Sequence, residues 1–416
     1  MGVLLMRLLG VGLFFFGTLY LTNELPPDLV GQYDYSRAVL LFIGAIALFG
    51  MQQSVIFYSG VYSAQNNLGQ IRQVYRTMLL LVVLLSISLN GVLYVLDPVL
   101  SKLGIGSIGS LVYQTFAGVL FYAITMLNID VLRAIDRIYI SELFRNIFRY
   151  LIFFLGVIAL VLFGRPEQLV LVFLSSFVLL ALLSSALLIY YFSQPPLKTF
   201  VPSTALSSKA ILKRSAPMAI SAASFLLMQS MDVLMLKQFD NYAAVAIYSV
   251  AVKLTLLLSV ALASVNAVLA PKIAEDYNRY DHKALAFKIK KATRLIFLST
   301  APAIVLLALG AEWILAWFGP EYGAAKTPLH ILLLGQVVNT LCGSVGVYLN
   351  MTSKQKAFQW IVASGLVLNI ALNVYLIPKY GMNGAAWATA LSMMGWNITA
   401  VYYVYKTDRI KTFLTW

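Results

Sequence analysis

Twelve long apolar runs, separated by short polar or Pro/Gly-containing clusters, organise this chain. They fall near Val3–Leu21, Ala38–Gly60, Thr77–Leu96, Gly109–Ile129, Tyr150–Phe163 and Gln168–Phe192. A second set follows at Ser215–Leu236, Ala244–Ala270, Leu295–Ala311, Thr327–Asn350, Phe358–Ile377 and Asn383–Tyr405. Most are about as long as the roughly 20 residues an α-helix needs to cross a bilayer. The fifth is short because Arg145 and Arg149 interrupt it, which predicts a helix starting near Tyr139. The expected fold class is all-α, a polytopic membrane protein of about 12 transmembrane helices in two six-helix bundles around a central cavity. The first run reads as a retained span rather than a cleaved signal.

Composition agrees. Of 416 residues, 61% are hydrophobic and 11% charged, with a mean hydropathy of +0.84, against about 45–50% apolar and about 25% charged in soluble domains. That excludes an ordinary soluble enzyme, a disordered chain and a nucleic-acid-binding domain.

Charge sets the orientation. The net charge is +14, and 22 of the 30 Lys and Arg lie in loops on one side of the twelve spans. Six lie on the other side, and Arg7 and Lys253 lie inside spans. Cytoplasmic loops carry such an excess, so both termini are expected on the cytoplasmic side. The same surplus would suit an anionic cargo. Residues 193–214, with Pro195, Pro196, Pro202 and several serines, read as a cytoplasmic linker between an N-terminal lobe (1–192) and a C-terminal lobe (215–416). Six spans per lobe make the halves parallel repeats, related by an axis along the membrane normal. Gly31-Gln32-Tyr33 and Ala246-Ile247-Tyr248-Ser249 stand at matching places in the two halves.

Signatures of reaction chemistry are missing. There is no phosphate-binding lysine loop, no HExxH and no GxSxG. Cys342 is alone, and His282 and His330 are far apart in sequence, which argues against a disulfide or a Cys/His metal centre. The chain is expected to move something rather than react with it, and is not read as an enzyme.

Ionisable residues inside spans are functional suspects, because each costs roughly 2.5–3.5 kcal/mol at the bilayer centre on insertion scales. Lys253 lies roughly 13 Å into its span at about 1.5 Å per residue. It serves either as a functional cation or as the ion-pair partner of Asp232 on the preceding helix. Arg7, about a turn inside the first span, either snorkels to headgroups or lines a cavity. Arg133, Arg137, Arg145 and Arg149 keep multiples of four and would form one basic stripe on a continuous helix. They read as anchors or as an entrance that attracts phosphate, which guanidinium binds bidentately. Arg37 reads as an anchor at the opposite mouth. Asp130 and Glu312, at span ends, read as interfacial groups or as carriers of a coupling proton or cation. Many amides, Asn128, Asn369 and Asn373 among them, would glue helices together or line a hydrated passage. The tryptophans read as interface belts.

In the second half, Met351-Thr352-Ser353-Lys354 is followed by Asn369, Asn373, Leu376-Ile377-Pro378, Tyr380-Gly381, Gly384-Ala385-Ala386, Ala388-Thr389 and Ser392. This resembles the signature of the bacterial polysaccharide flippases, the O-antigen and exopolysaccharide translocases of the multidrug/oligosaccharidyl-lipid/polysaccharide exporter superfamily. Asp232-Val233-Leu234-Met235-Leu236, Ala270-Pro271-Lys272-Ile273, Phe318-Gly319-Pro320-Glu321-Tyr322 and the stretch Leu25 to Tyr33 resemble it too. One departure stands out: Thr22-Asn23 replace the Ala-Arg that often precedes the family's loop after span one.

The resemblance implies a cationic cavity exposed alternately to either side, for which Lys253, Arg7, Arg145 and Arg149 are the substrate-binding candidates. Asp232 and Asp130 are the candidates for ion coupling or ion pairing. It implies an oligosaccharide carried on polyprenyl pyrophosphate as cargo, in the bacterial cytoplasmic (inner) membrane. Membrane lipids, a polysaccharide polymerase and a chain-length regulator are the implied partners, with no nucleic acid. No cofactor is expected beyond a coupling Na+ or H+. The alternatives are a cation-coupled multidrug or small-solute antiporter of the same superfamily, and a peptidoglycan-precursor flippase, which usually has about two more spans than this chain has room for.

Overall fold

A computed structural model describes residues 2–64, 67–102, 108–195, 197, 207–278 and 282–415. Among these residues the structure is helical, without strands. That is the architecture a bilayer requires, since a helix satisfies its own backbone hydrogen bonds. Eight helices are long and apolar enough to span by themselves, and two bent helix pairs bring the number to ten. Every one of the twelve apolar runs is occupied by a helix, part of one, or a bent pair. The chain divides into two compact units, Met1–Leu226 and Leu227–Trp416.

In the first unit, α1 (Gly2–Glu24) is followed by α2 (Pro27–Leu48). Pro27 stands in the first turn of α2 and Asp28 beside it, where a missing N–H costs nothing and the helix dipole favours a negative charge. Phe49 and Gly50 take positive φ and turn the chain by 42° into α3 (Met51–Ala64). Next come α4 (Ile71–Lys102), α5 (Ser110–Ala134), α6 (Ile138–Leu162) and α7 (Leu169–Phe192). The start of α6 at Ile138 agrees with the expected start near Tyr139. Helix α5 is the hub: it packs on α2, α3, α4 and α7, and most of it is buried. Asn128 acts as glue there, accepting from Tyr75 on α4 at 2.8 Å and donating to Ser184 and Ser185 on α7 at 3.0 and 2.9 Å.

Of the linker expected over 193–214, residues 196 and 198–206 lie outside the described residues. Its end, Ser208–Arg214, forms the first turns of α8 (Ser208–Phe239). The boundary between the two units falls inside α8, because its first half packs on α3: Ser215 and Ser54 share a hydroxyl hydrogen bond at 2.7 Å.

The second unit takes the rest of α8, then α9 (Tyr242–Asn278), α10 (His282–Leu309), α11 (Lys326–Cys342), α12 (Val345–Met351) and α13 (Gln355–Asp408). Two glycines shape it. Gly343, at φ +65°, bends α11 into α12 by 46°, and a Cβ there would stand 2.3 Å from the Thr293 hydroxyl. Gly381, at φ +53° and ψ −129°, breaks α13 into two arms, 355–380 and 382–408. The arms fold back on each other, so Asn369 of the first reaches Ser392 of the second at 3.2 Å. Residues beyond Asp408 return to the bundle: the Leu414 amide donates to the Leu341 carbonyl at 2.8 Å, beside the break at Gly343. Trp313, Trp317, Trp360 and Trp387 are exposed, whereas Trp396 packs against Phe358.

Candidate functional site

Two polar assemblies stand inside the apolar helices, one in each unit. In the first unit the chain reverses between α5 and α6, with Asp136 at φ +62° and the Arg137 amide bonded to the Leu132 carbonyl at 2.9 Å. This turn corrects the expectation of one basic stripe. Arg133 and Arg137 stay exposed around the turn, with Arg137 over the Tyr191 ring, while Arg145 and Arg149 run back along α6. Residues Phe144–Phe148 of α6 form a π-helical segment, a distortion frequent at functional sites.

A second correction concerns Arg37. The sequence puts it at a membrane mouth, because hydropathy delays the second span to Ala38. Instead α2 starts at Pro27, so Arg37 lies about 15 Å along the helix. Polar residues Gln32 to Arg37 belong to a helix and not to a loop.

The result is a cluster. The guanidinium groups of Arg149, Arg145 and Arg37 all lie within electrostatic range of the buried phenol of Tyr122, on α5. Arg37 and Arg149 also act on Tyr33 of α2. Arg149 stands 5.7 Å from the ring centroids of both Tyr150 and Phe177, and Arg37 stands 5.3 Å from that of Phe14. Gly44 makes room for Tyr122: a Cβ there would meet the ring at 2.3 Å. Among the described residues neither Arg37 nor Arg149 has a carboxylate at ion-pair distance.

The other two arginines are paired. Arg145 donates to Asp130 at 2.5 Å, with Asp130 6% exposed. This places Asp130 inside the protein rather than in an interfacial, solvated position. Arg7 holds Glu142 bidentately, at 3.0 Å from Nε and 2.7 Å from its terminal nitrogen. The Asn146 amide adds a third donor to Glu142 at 2.8 Å. Arg7 therefore ties α1 to α6, and its fork is already occupied. Glu142 was not singled out in the sequence; the available signal was a lone carboxylate three residues before Arg145.

In the second unit Asp232, on α8, is 2% exposed. Its carboxylate accepts from the Tyr248 phenol at 2.5 Å, from the Thr389 hydroxyl at 3.3 Å and from the Val233 amide at 2.9 Å. The ion pair expected with Lys253 is not formed. Lys253 comes five residues after Tyr248 on α9, so it points about 140° away round the helix. It is itself buried, at 7% exposure. The Asp232 assembly continues into the hairpin of α13: Asn369 donates to Thr389 at 3.5 Å and to Ser392 at 3.2 Å, and accepts from Asn373 at 3.0 Å. Asn369 and Asn373 are fully buried, and the Asn373 side-chain oxygen has no hydrogen-bond donor among the described residues. Glu312 lies apart, on the surface, paired with Lys326.

These features define a class: a multi-pass helical membrane protein with charged and amide-rich groups buried at depth. Residues 2–276, about two thirds of the chain, match the family described as "Polysaccharide biosynthesis protein", and the chain belongs to that family. The MatE family matches residues 217–375. A Shigella flexneri protein named for O-antigen transport is 28% identical over 170 residues, 39% of this chain and 40% of that protein. A Haloferax volcanii protein named as a low-salt glycan biosynthesis flippase is 25% identical over 182 residues, 44% of this chain and 39% of that protein. The chain thus spans about two fifths of the length of the curated relatives it matches. Its fold is that of the MOP-superfamily transporters. The lipid II flippase MurJ superposes with a TM-score of 0.71 at 16% identity, covering 95% of this chain and 87% of that one. A multidrug-resistance MATE-family transporter gives 0.72 at 16% identity, covering 94% and 96%.

Proposed function

We propose that this protein flips polyprenyl-pyrophosphate-linked oligosaccharide repeat units across the cytoplasmic membrane for surface polysaccharide or O-antigen assembly, by alternating access. The observation that carries this reading is the Arg37–Arg145–Arg149 cluster around Tyr122. A guanidinium fork matches phosphate oxygens bidentately, and two forks one helical turn apart suit a diphosphate. The glycan needs a polar route, since stripping an unpaired hydroxyl of water costs roughly 2–7 kcal/mol. Lys253, buried in the second unit, is a further candidate for binding an anionic cargo. Arg7 is assigned to positioning, because Glu142 already holds its fork. The cation-rich loops keep both termini cytoplasmic.

Asp232 is the coupling residue in this reading. The side chains that meet its carboxylate, the Tyr248 phenol and the Thr389 hydroxyl, do so through oxygen, which suits a hard cation or a proton. The undonated Asn373 oxygen fits the same role. A bound Na+ or H+ would supply a positive charge to this carboxylate, which has no cation at ion-pair distance among the described residues.

Purified protein in proteoliposomes tests the proposal. Inward-facing polyprenyl-pyrophosphate oligosaccharide should become accessible to an external lectin, and Arg149→Ala should slow this at least severalfold. Protein-independent accessibility overturns the reading. The MatE match over the second half supports one alternative, a cation-coupled drug antiporter. It requires gradient-driven dye efflux from the same vesicles without glycan translocation.

A further inference from the structure

Arg145 and Arg149 stand one turn apart on α6, yet their surroundings differ. Arg149 lies over the Tyr150 and Phe177 rings, and Arg145 is taken by Asp130. The Arg145 side chain is 34% exposed and that of Asp130 9%. So the carboxylate comes from inside the helix packing while the guanidinium keeps an open side. Arg133 and Glu142 also act on Asp130, and Glu142 acts on Arg145. Glu142 is itself held by Arg7 and Asn146. Asp34, buried on α2 one turn before Arg37, adds a further carboxylate to the neighbourhood. Among the described residues, Asp130 is the carboxylate that directly occupies an arginine of the cluster at ion-pair distance.

We infer that Asp130 is an internal counter-anion: it holds Arg145 in the empty transporter and is displaced from it by the pyrophosphate of the cargo, setting how tightly the cluster grips. This rests on the flippase reading above. A diphosphate spanning Arg145 and Arg149 replaces one carboxylate by a group with more negative charge and more acceptor oxygens. The displaced Asp130 cannot leave, because α5 holds it in the core. It stays beside the bound anion as a like charge and favours release. Like charges a few ångströms apart in a partly buried setting repel one another more strongly than in water. A transporter needs that opposition, since a site that binds too tightly does not turn over.

The sign of the effect separates this role from a purely structural one. If Asp130 only staples α5 to α6, its loss lowers stability and leaves anion affinity equal or weaker. If it is a counter-anion, its loss strengthens anion binding and slows turnover.

The experiment is calorimetric titration of inorganic pyrophosphate into the full-length protein in nanodiscs. Wild type, Asp130→Asn and Arg149→Ala are compared, and flipping is measured in parallel. The expected result is affinity raised about tenfold in Asp130→Asn, from removal of one neighbouring negative charge. Turnover should fall in the same variant, and affinity should be weaker in Arg149→Ala. Unchanged or weaker binding by Asp130→Asn, with Arg149→Ala still weakened, overturns the counter-anion and leaves the flippase reading standing. No pyrophosphate binding by wild type overturns both. Should Asp130→Asn fail to fold, difference infrared spectroscopy of wild type decides: pyrophosphate must shift a buried carboxylate stretch, and an unshifted band overturns the exchange.

Discussion

Tyr248 donates its phenolic hydrogen to the Asp232 carboxylate at 2.5 Å, and the two side chains are 0% and 2% exposed. One helix thereby hands a buried charge to the next, and Thr389 links the pair to the amides of the α13 hairpin. Intramembrane carboxylates are costly and are kept for ion pathways and relays.

Asp232→Asn is expected to fold, since an amide keeps the acceptor for Tyr248. It should uncouple transport from an imposed Na+ or H+ gradient in proteoliposomes. Tyr248→Phe should cost about 1–3 kcal/mol, because one donor to a buried carboxylate is lost. Thermal unfolding in detergent measures that cost. Gradient dependence retained in Asp232→Asn would move the coupling site elsewhere.

Lys253→Ala should lower surface polysaccharide in a flippase-deficient strain while the protein still inserts at wild-type level. Immunoblotting of membranes and staining of the glycan read the two quantities separately. Normal glycan output from a well-expressed variant would take Lys253 out of the site.

Arg7 and Glu142 should be coupled. Glu142 is buried with Arg7 and Asn146 as its donors, so Arg7→Ala leaves a poorly compensated charge. The Arg7 side chain is 49% exposed, which places the expected loss below the roughly 3–5 kcal/mol of a fully buried pair. A double-mutant cycle with Glu142→Gln should return a coupling of about 1–2 kcal/mol in thermal stability. Polysaccharide output should then follow protein level, unlike the per-molecule loss expected of Arg149→Ala.

Gly343→Ala should be among the more damaging glycine substitutions, for it combines a positive φ with a 2.3 Å approach to Thr293. Strained backbone of this kind costs of the order of 1–3 kcal/mol. Gly323→Ala, where a Cβ meets nothing within 4 Å, should leave folding near wild type. Size-exclusion profiles after heating compare the two.

Much of the architecture was legible because hydropathy reports the transfer of a segment from water to lipid. It located the helices, and Ile138 starts α6 within a residue of the expected place. The amides of the Asn369–Ser392 stretch were visible as a pattern as well. Arg37 was misplaced for the same reason: averaging sees Gln32 to Arg37 as a polar loop, although Pro27 nucleates a helix through it. Glu142 escaped because one carboxylate in a charged stretch does not alter the run of apolar residues.

Chain order and side-chain polarity alone settled that the protein is helical, membrane-embedded and biased in charge, since those properties sum over residues whatever their neighbours are. Which charges meet did not follow from them. Asp232 turned to Tyr248 and not Lys253, Asp130 took Arg145, and Arg7 took Glu142, because each choice depends on helix rotation and on a turn or break at one residue. A step of one residue rotates a helical side chain by about 100°, and only packing in three dimensions selects among such rotations.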